Sequence, residues 1–216
     1  MPAQFPTLKE EEKIGRQGGG VLVGVDEVGR GPLAGPVVAC AVAIDLGDKK
    51  ALRDFLLLCV NDSKKIAPKK REKISEALRA HPCVAWALGE ADEQEIDKIN
   101  ILQASLLAMR RAVFGLEKKG VKFLRKERHF YIDGREVIPD LSANQRSIIG
   151  GDALIFSIAA ASIIAKVARD AMMQKCAEKY PAYQFEKHKG YGTKLHFDLI
   201  KKHGMSPIHR RSFLKK

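Results

Sequence analysis

Four acidic residues, Asp26, Glu27, Asp133 and Asp152, each stand where an apolar run of the chain ends. The first two follow residues 21–25 (VLVGV), the third follows 130–132 (FYI), and the fourth follows Ile148-Ile149 by way of Gly150-Gly151. Carboxylates at the ends of buried strands are costly unless a cation or hydrogen bonds compensate them. Converging from separate elements, they could hold two divalent ions roughly 3.5–4 Å apart. One ion would activate a water for in-line attack on a phosphodiester, and the other would stabilise the leaving oxygen. Hard oxygen ligands suit Mg2+ or Mn2+, and the cysteines and histidines show no paired spacing that would suggest structural zinc. The same four positions also suit helix capping or turn binding, so spacing alone leaves both readings open.

Donors for a phosphate lie next to the first two acids. Glycines at 29, 31 and 35 let the backbone approach a ligand closely. Arg30, between two of them, can fork onto phosphate. Gly29-Arg30-Gly31 is not a P-loop, because no Gly-Lys-Ser/Thr follows. Lys64, in the run Asp62-Ser63-Lys64-Lys65, is either a phosphate contact or part of a solvated turn. Tyr191 sits between Gly190 and Gly192 in a basic stretch, where an exposed ring can stack on a sugar or base, or anchor its own loop. Lys166 closes a run of alanines and serines, residues 157–166, that suits close helix-to-sheet packing; a place near the scissile phosphate is the alternative.

Composition narrows the partner. Over 216 residues, 38 Lys and Arg outweigh 26 Asp and Glu, and a net charge of +12 favours a polyanion. Residues 180–216 hold nine Lys or Arg against two Asp or Glu, with four of the six histidines. That segment is either a solvated tail or a grip on nucleic acid. A content of 45% hydrophobic and 30% charged residues fits one globular domain with a real core rather than a disordered chain. The cysteines at 40, 59, 83 and 176 have no CxxC spacing and read as reduced thiols of a cytoplasmic protein. Residues 1–20 hold no apolar leader, and the longest apolar stretch, around 153–168, is too short and polar to span a bilayer. No membrane partner is expected, and a monomer is the default.

The elements that must position these residues follow from periodicity. Alternating Val21, Val23 and Val25 predict a strand over 21–27, with Gly24 where another element packs close. Residues 37–44 (VVACAVAI) predict a second, buried strand antiparallel to it. Pro68 opens a helix to about residue 80, and 84–88 suit a third strand. Ile99, Leu102, Leu106, Met109 and Val113 predict a helix over 97–116. Further helices are expected over 153–179 and over 193–202, the latter capped by Thr193 and stopped by Gly204. The expected class is α/β, a mixed sheet flanked by helices on both faces, with a C-terminal helical extension. Its divisions are a flexible N-terminal segment (1–20), a catalytic domain (21–180) and a basic helical segment packed on it (181–216).

In eight ordered blocks the chain closely resembles type 2 ribonuclease H, the bacterial ribonuclease HII family. The blocks are GVDEVGRGPLAGPVV (24–38), NDSKK (61–65), INILQAS (99–105), YIDG (131–134), GGDA (150–153), AAASIIAKVARD (159–170), KHKGYGT (187–193) and SPIHRRSF (206–213). The resemblance implies a ribonuclease H-like sheet and an endonuclease that cuts the RNA strand of RNA–DNA hybrids. It also implies incision 5′ of single ribonucleotides in duplex DNA, leaving 5′-phosphate and 3′-hydroxyl ends. It implies Asp26, Glu27, Asp133 and Asp152 as metal ligands, and Gly29-Arg30-Gly31 as a largely main-chain contact to the ribonucleotide. Tyr191 would pack on the following deoxyribose. The 2′-hydroxyl is the group that distinguishes a lone ribonucleotide from its neighbours. Asp170 also lies downstream of the third acid, but falls too far along its helix to share the strand ends with Asp152. Ile66 and Ser105 stand where many relatives carry Leu and Thr. Residues 1–20 are too short for the extra N-terminal substrate-binding domain usual in type 3 enzymes.

Overall fold

The computed structural model describes residues 5–18, 20–47, 60, 63, 66–141 and 144–214. Five strands, β1 (Val21–Val28), β2 (Val37–Ile44), β3 (Val84–Ala91), β4 (Arg128–Asp133) and β5 (Asn144–Ile148), form one sheet in the order β3-β2-β1-β4-β5. The first three run as an antiparallel meander, with Val25 opposite Ala41 and Ala41 opposite Ala87. β4 adds parallel to β1, and β5 adds parallel to β4. The sheet is therefore mixed, as the apolar pattern predicts.

Period-2 alternation sorts the strands' side chains between two cores. Val21, Val23, Val25, Phe130 and Ile132 pack with Ala108, Met109 and Val113 of α3 (Glu93–Glu117). Cys40, Val42 and Ile44 face the other way, onto Ile74 and Leu78 of α2 (Pro68–Ala80) and onto α4 (Phe156–Lys179). The small residues of α4 let it approach the sheet closely. A Cβ on Gly24 would meet the Ser157–Ile158 backbone, leaving no room for a side chain. Gly24→Ala is expected to destabilise the fold by about 3 kcal/mol, because neither the strand nor the helix backbone can yield. Urea unfolding checks this, as a lower midpoint at unchanged slope.

Three departures from the periodicity are the largest. α3 begins at Glu93 rather than Asp97, because Asp92 and Glu95 form a reciprocal capping box (2.8 and 3.1 Å). At Asn100 (φ 65°) the helix kinks, and the Asn100 side chain caps the second part by accepting from Leu102 and Gln103. The signal D-x-x-E stands at 92–95, but the regular apolar repeat begins only at Ile99, beside the kink. β5 was not anticipated as a strand, since NQRSI lacks an apolar face. It is an edge strand and needs only one paired side.

The third difference is at the N-terminus. Where a flexible segment is expected over 1–20, Lys9–Gly18 forms α1, with Leu8, Glu11 and Ile14 buried. Thr7 brackets the start of α4 by bonding Leu154 and Phe156 (3.0 and 3.1 Å), and the Glu11 carboxylate accepts from the Ser157 N–H (2.8 Å). A short polar helix is marginal alone. This one is held by a carboxyl oxygen that accepts from another helix's first turn, a contact with no local sequence signature.

Residues after α4 continue as α5 (Phe185–His188), α6 (Lys194–His203) and α7 (Arg211–Leu214). Thr193 caps α6 by accepting from His196, and Gly204 (φ 75°) ends it, as its sequence predicts. Among the described residues, no helix is long and apolar enough to cross a membrane.

Candidate active site

Parallel pairing brings the acids to one sheet edge. Val25 lies opposite Ile132, so β1 and β4 release Asp26 and Asp133 side by side at their carboxyl ends. β5 ends opposite Asp133, and the turn after it carries Gly150-Gly151-Asp152. The Asp133 Oδ1 accepts from the Gly151 N–H (2.7 Å), tying that turn to the third acid. Asp152 is half-buried on the short 3-10 turn Gly151–Ala153. Asp170 is engaged elsewhere, paired with Lys166 (2.7 Å) and with Arg71 (3.5 Å). Lys166 is thereby drawn to Asp170.

Alternation along β1 turns the adjacent carboxylates to opposite faces. Asp26 points toward α4, where the Ser162 hydroxyl lowers its pKa against the effect of burial. The Asp26 Oδ1 accepts from the Glu27 N–H (2.7 Å). Glu27 points to a small cleft that it shares with Arg30, Asp133 and, from α3, Leu102, Ser105 and Met109. Burial, and then the charges of Glu27 and Asp133, push the Asp26 carboxyl well above the usual carboxylate range. Burial also raises Glu27, while Arg30, 3.3 Å away, pulls it back and Asp133 raises it further. The Glu27 Oε2 is buried and accepts no hydrogen bond from the described residues.

Buried carboxylates of raised pKa, one with an oxygen that takes no hydrogen bond among the described residues, have the chemistry to accept a cation. Hard oxygen ligands suit Mg2+ or Mn2+. Among the described residues, no three acidic, histidine or cysteine side chains are already gathered to hold an ion. Asp26 and Glu27 diverge across the sheet instead, with Glu27 bonded to Arg30.

The remaining predicted contacts divide. Gly29 (φ 97°), Arg30 and Gly31 form the loop after β1. Tyr191 is 40% exposed beside it: a Cβ on Gly31 would lie 3.9 Å from the ring. The Tyr191 loop is held by its own N–H on the His188 carbonyl (2.8 Å), and its carbonyl accepts from the His196 ring (3.0 Å). Lys64 lies outside the described residues, as do Asn61, Asp62 and Lys65. Their neighbour Ser63 is buried, with its hydroxyl 3.0 Å from that of Ser162.

Three residues went unread as site components. Ser162 acts on the Asp26 carboxyl from α4, yet in sequence it is one small residue in a packing helix. Arg169 and Arg210 are fully buried behind the Gly29–Gly31 loop. Arg210 belongs to the basic stretch 180–216, where composition counts it as surface charge. His188, His196 and His209 of the same stretch are also buried, so it is no simple solvated tail.

The family model described as Ribonuclease HII matches residues 23–216. A ribonuclease HII of Chlorobium luteolum is 47% identical over 192 residues, covering 89% of this chain and 88% of that protein. One from Caldicellulosiruptor bescii is 46% identical over 205 residues, covering 95% and 92%. The crystal structure of ribonuclease H2 from Pyrococcus horikoshii superposes with a TM-score of 0.67 at 28% identity, covering 89% of this chain and 93% of that one. Bst-RNase HIII, solved in complex with Mn2+, shares the fold with a TM-score of 0.66 at 19% identity, covering 90% and 66%. With the four acids delivered to one sheet edge and the match running through nearly all the described fold, the chain belongs to the ribonuclease HII family and is an endoribonuclease of the ribonuclease H type, acting on RNA–DNA hybrids.

Proposed function

We propose that this enzyme also incises duplex DNA on the 5′ side of a single embedded ribonucleotide, leaving 5′-phosphate and 3′-hydroxyl ends by two-metal catalysis. Asp26, Glu27, Asp133 and Asp152 are the metal ligands in this reading. The observation that carries it is the delivery of Asp26, Glu27 and Asp133 to the same strand ends, with the Glu27 Oε2 buried and taking no hydrogen bond among the described residues. Held by these carboxylates, two Mg2+ or Mn2+ ions would supply Lewis acidity for activating the water and for stabilising the leaving oxygen. The protein's own groups set the rest. The Glu27 N–H orients Asp26, and it and Ser162 offset part of the rise that burial imposes on the Asp26 carboxyl. Arg30 offsets the charge of Glu27 and presents its remaining donors to a phosphate. The loop Gly29-Arg30-Gly31 meets the ribonucleotide through its main chain, and Tyr191 packs on the next sugar. Lys64 is a phosphate contact, and residues 181–216 grip the duplex.

Cleavage of a DNA duplex carrying one ribonucleotide tests the proposal, with Mg2+, with Mn2+ and with chelator. A metal-dependent cut on the 5′ side is expected. Cleavage of a long hybrid with none at the single ribonucleotide would refute the junction reading. Tyr191→Ala is expected to lower kcat/KM on the single-ribonucleotide duplex roughly tenfold, the worth of one stacked sugar or base, with a smaller loss on the long hybrid. Equal losses would contradict the role of Tyr191.

A further inference from the structure

Two fully buried arginines underlie the Gly29-Arg30-Gly31 loop, and their described hydrogen bonds all end on main-chain carbonyls. Arg169, on α4, donates to Pro36 (2.9 Å), to Ala34 (3.1 Å) and to Lys189 (3.1 Å). Arg210, just before α7, spends its whole fork in the same way. Its Nε and Nη2 reach the Gly35 carbonyl (2.9 and 2.7 Å), its Nη1 the carbonyls of Arg30 and Pro32 (3.0 and 2.7 Å), and its Nη2 that of Gly29 (2.7 Å). Burying a guanidinium costs several kcal/mol unless it is well bonded. Burial lowers both, and together with the charge of Arg169 it brings Arg210 down to about 9. So costly an arrangement calls for an explanation beyond packing.

Peptide geometry supplies one. In a planar trans peptide the C=O of one residue and the N–H of the next point in opposite directions. Arg210 draws the carbonyls of Gly29 and Arg30 inward, so the N–H groups of Arg30 and Gly31 turn outward. Successive outward N–H groups make an anion-receptive concavity, and two guanidiniums behind them add positive potential. Arg169 links that loop to the neighbouring one. It holds the Lys189 carbonyl, and its guanidinium lies 6.0 Å from the Tyr191 ring. The Leu33 N–H bonds the Gly190 carbonyl (2.7 Å) between them.

We propose that Arg169 and Arg210 are positioning residues for ribonucleotide recognition: bonded to carbonyls beneath the loop, they aim the Arg30 and Gly31 N–H groups at the ribose-phosphate and fix their separation from Tyr191. This rests on the junction reading given under Proposed function. Lysine keeps the charge but cannot span several carbonyls with a planar fork.

The test compares Arg169→Lys and Arg210→Lys with Leu116→Ala, a core change on α3 in the opposite face's core. For each, kcat and KM are measured on the single-ribonucleotide duplex and on a long hybrid, beside the thermal midpoint. The arginine variants are expected to lower the single-ribonucleotide/hybrid ratio of kcat/KM about tenfold, mainly through KM, whereas Leu116→Ala lowers only the midpoint. In the double variant Arg169→Lys/Tyr191→Ala, the ratio should fall within about threefold of Tyr191→Ala alone, because both changes act on one contact. An unchanged ratio in the arginine variants, fully additive losses in the double variant, or lysine variants that do not fold would each overturn the proposal. Failure of the wild-type enzyme to cut at a single ribonucleotide, or no effect of Tyr191→Ala, would instead overturn the junction reading itself.

Discussion

Asp26→Asn is expected to abolish cleavage while making the metal-free protein more stable. The Asp26 carboxyl is buried beside Glu27 and Asp133, so ionising it costs the fold free energy that asparagine does not. Its pKa is raised in the folded state. Between the ordinary value of 3.8 and that raised value, the native state therefore binds more protons than the unfolded one, and stability falls as pH rises through the window. Asparagine removes that slope. The variant should melt higher than wild type at neutral pH in chelator, and the gap should close on acidification below the ordinary value. Divalent metal should raise the wild-type midpoint by linkage and leave the variant's nearly unmoved. Activity runs the other way. Losing a ligand that holds several kcal/mol of charge stabilisation should lower kcat by about a thousandfold or more, with substrate binding retained. The wild-type rate should likewise fall as pH drops and the raised carboxylates take up protons. Thermal melts in chelator and with Mg2+, paired with single-turnover cleavage, check both halves. Full activity in Asp26→Asn would remove Asp26 from the metal set.

Gly29→Ala is expected to damage stability and recognition together. Its φ of 97° is a region that residues with a Cβ rarely adopt. The added methyl would run into the Arg169 guanidinium arm and stand 2.9 Å from the Pro36 carbonyl, which Arg169 bonds. Backbone strain and overpacking together should cost about 3 kcal/mol. For a chain of this size, that lowers the thermal midpoint by roughly 6–12 °C. Displacing Arg169 also disturbs the Lys189 carbonyl, and with it the Tyr191 loop. Cleavage at a single ribonucleotide should therefore suffer even at temperatures where the variant is fully folded. A variant with wild-type melting and wild-type junction cutting would show that the loop adapts without cost.

Elements whose stability is local were legible from the residues. The alternation Val21-Val23-Val25, the run 37–44 and the Thr193/Gly204 caps placed β1, β2 and α6 nearly to the residue, because side-chain period and cap chemistry act within a few positions. The close approach at Gly24 was legible as well, since a glycine inside an apolar strand has few other uses. The acids announced themselves by standing at the ends of apolar runs. Less visible was α1, whose support is a capping contact to a helix about 146 residues away. β5 was hidden because an edge strand need not alternate.

The sequence by itself determined which residue types are available, the secondary-structure periods, and, through its eight ordered blocks, the family. Only the tertiary structure decided how those residues are used. Parallel pairing of β1, β4 and β5 sets the acids on one edge, and the pleat sends Asp26 and Glu27 to opposite faces. Ser162 lies where it acts on the Asp26 carboxyl rather than serving only as packing. Arg210, one of nine basic residues in the terminal stretch, turned out to be interior scaffold for a loop some 180 positions earlier. Charge and hydropathy are properties of a residue, read from the chain alone. Desolvation and hydrogen-bond partners belong to a place in the fold, and those fix what each charge can do.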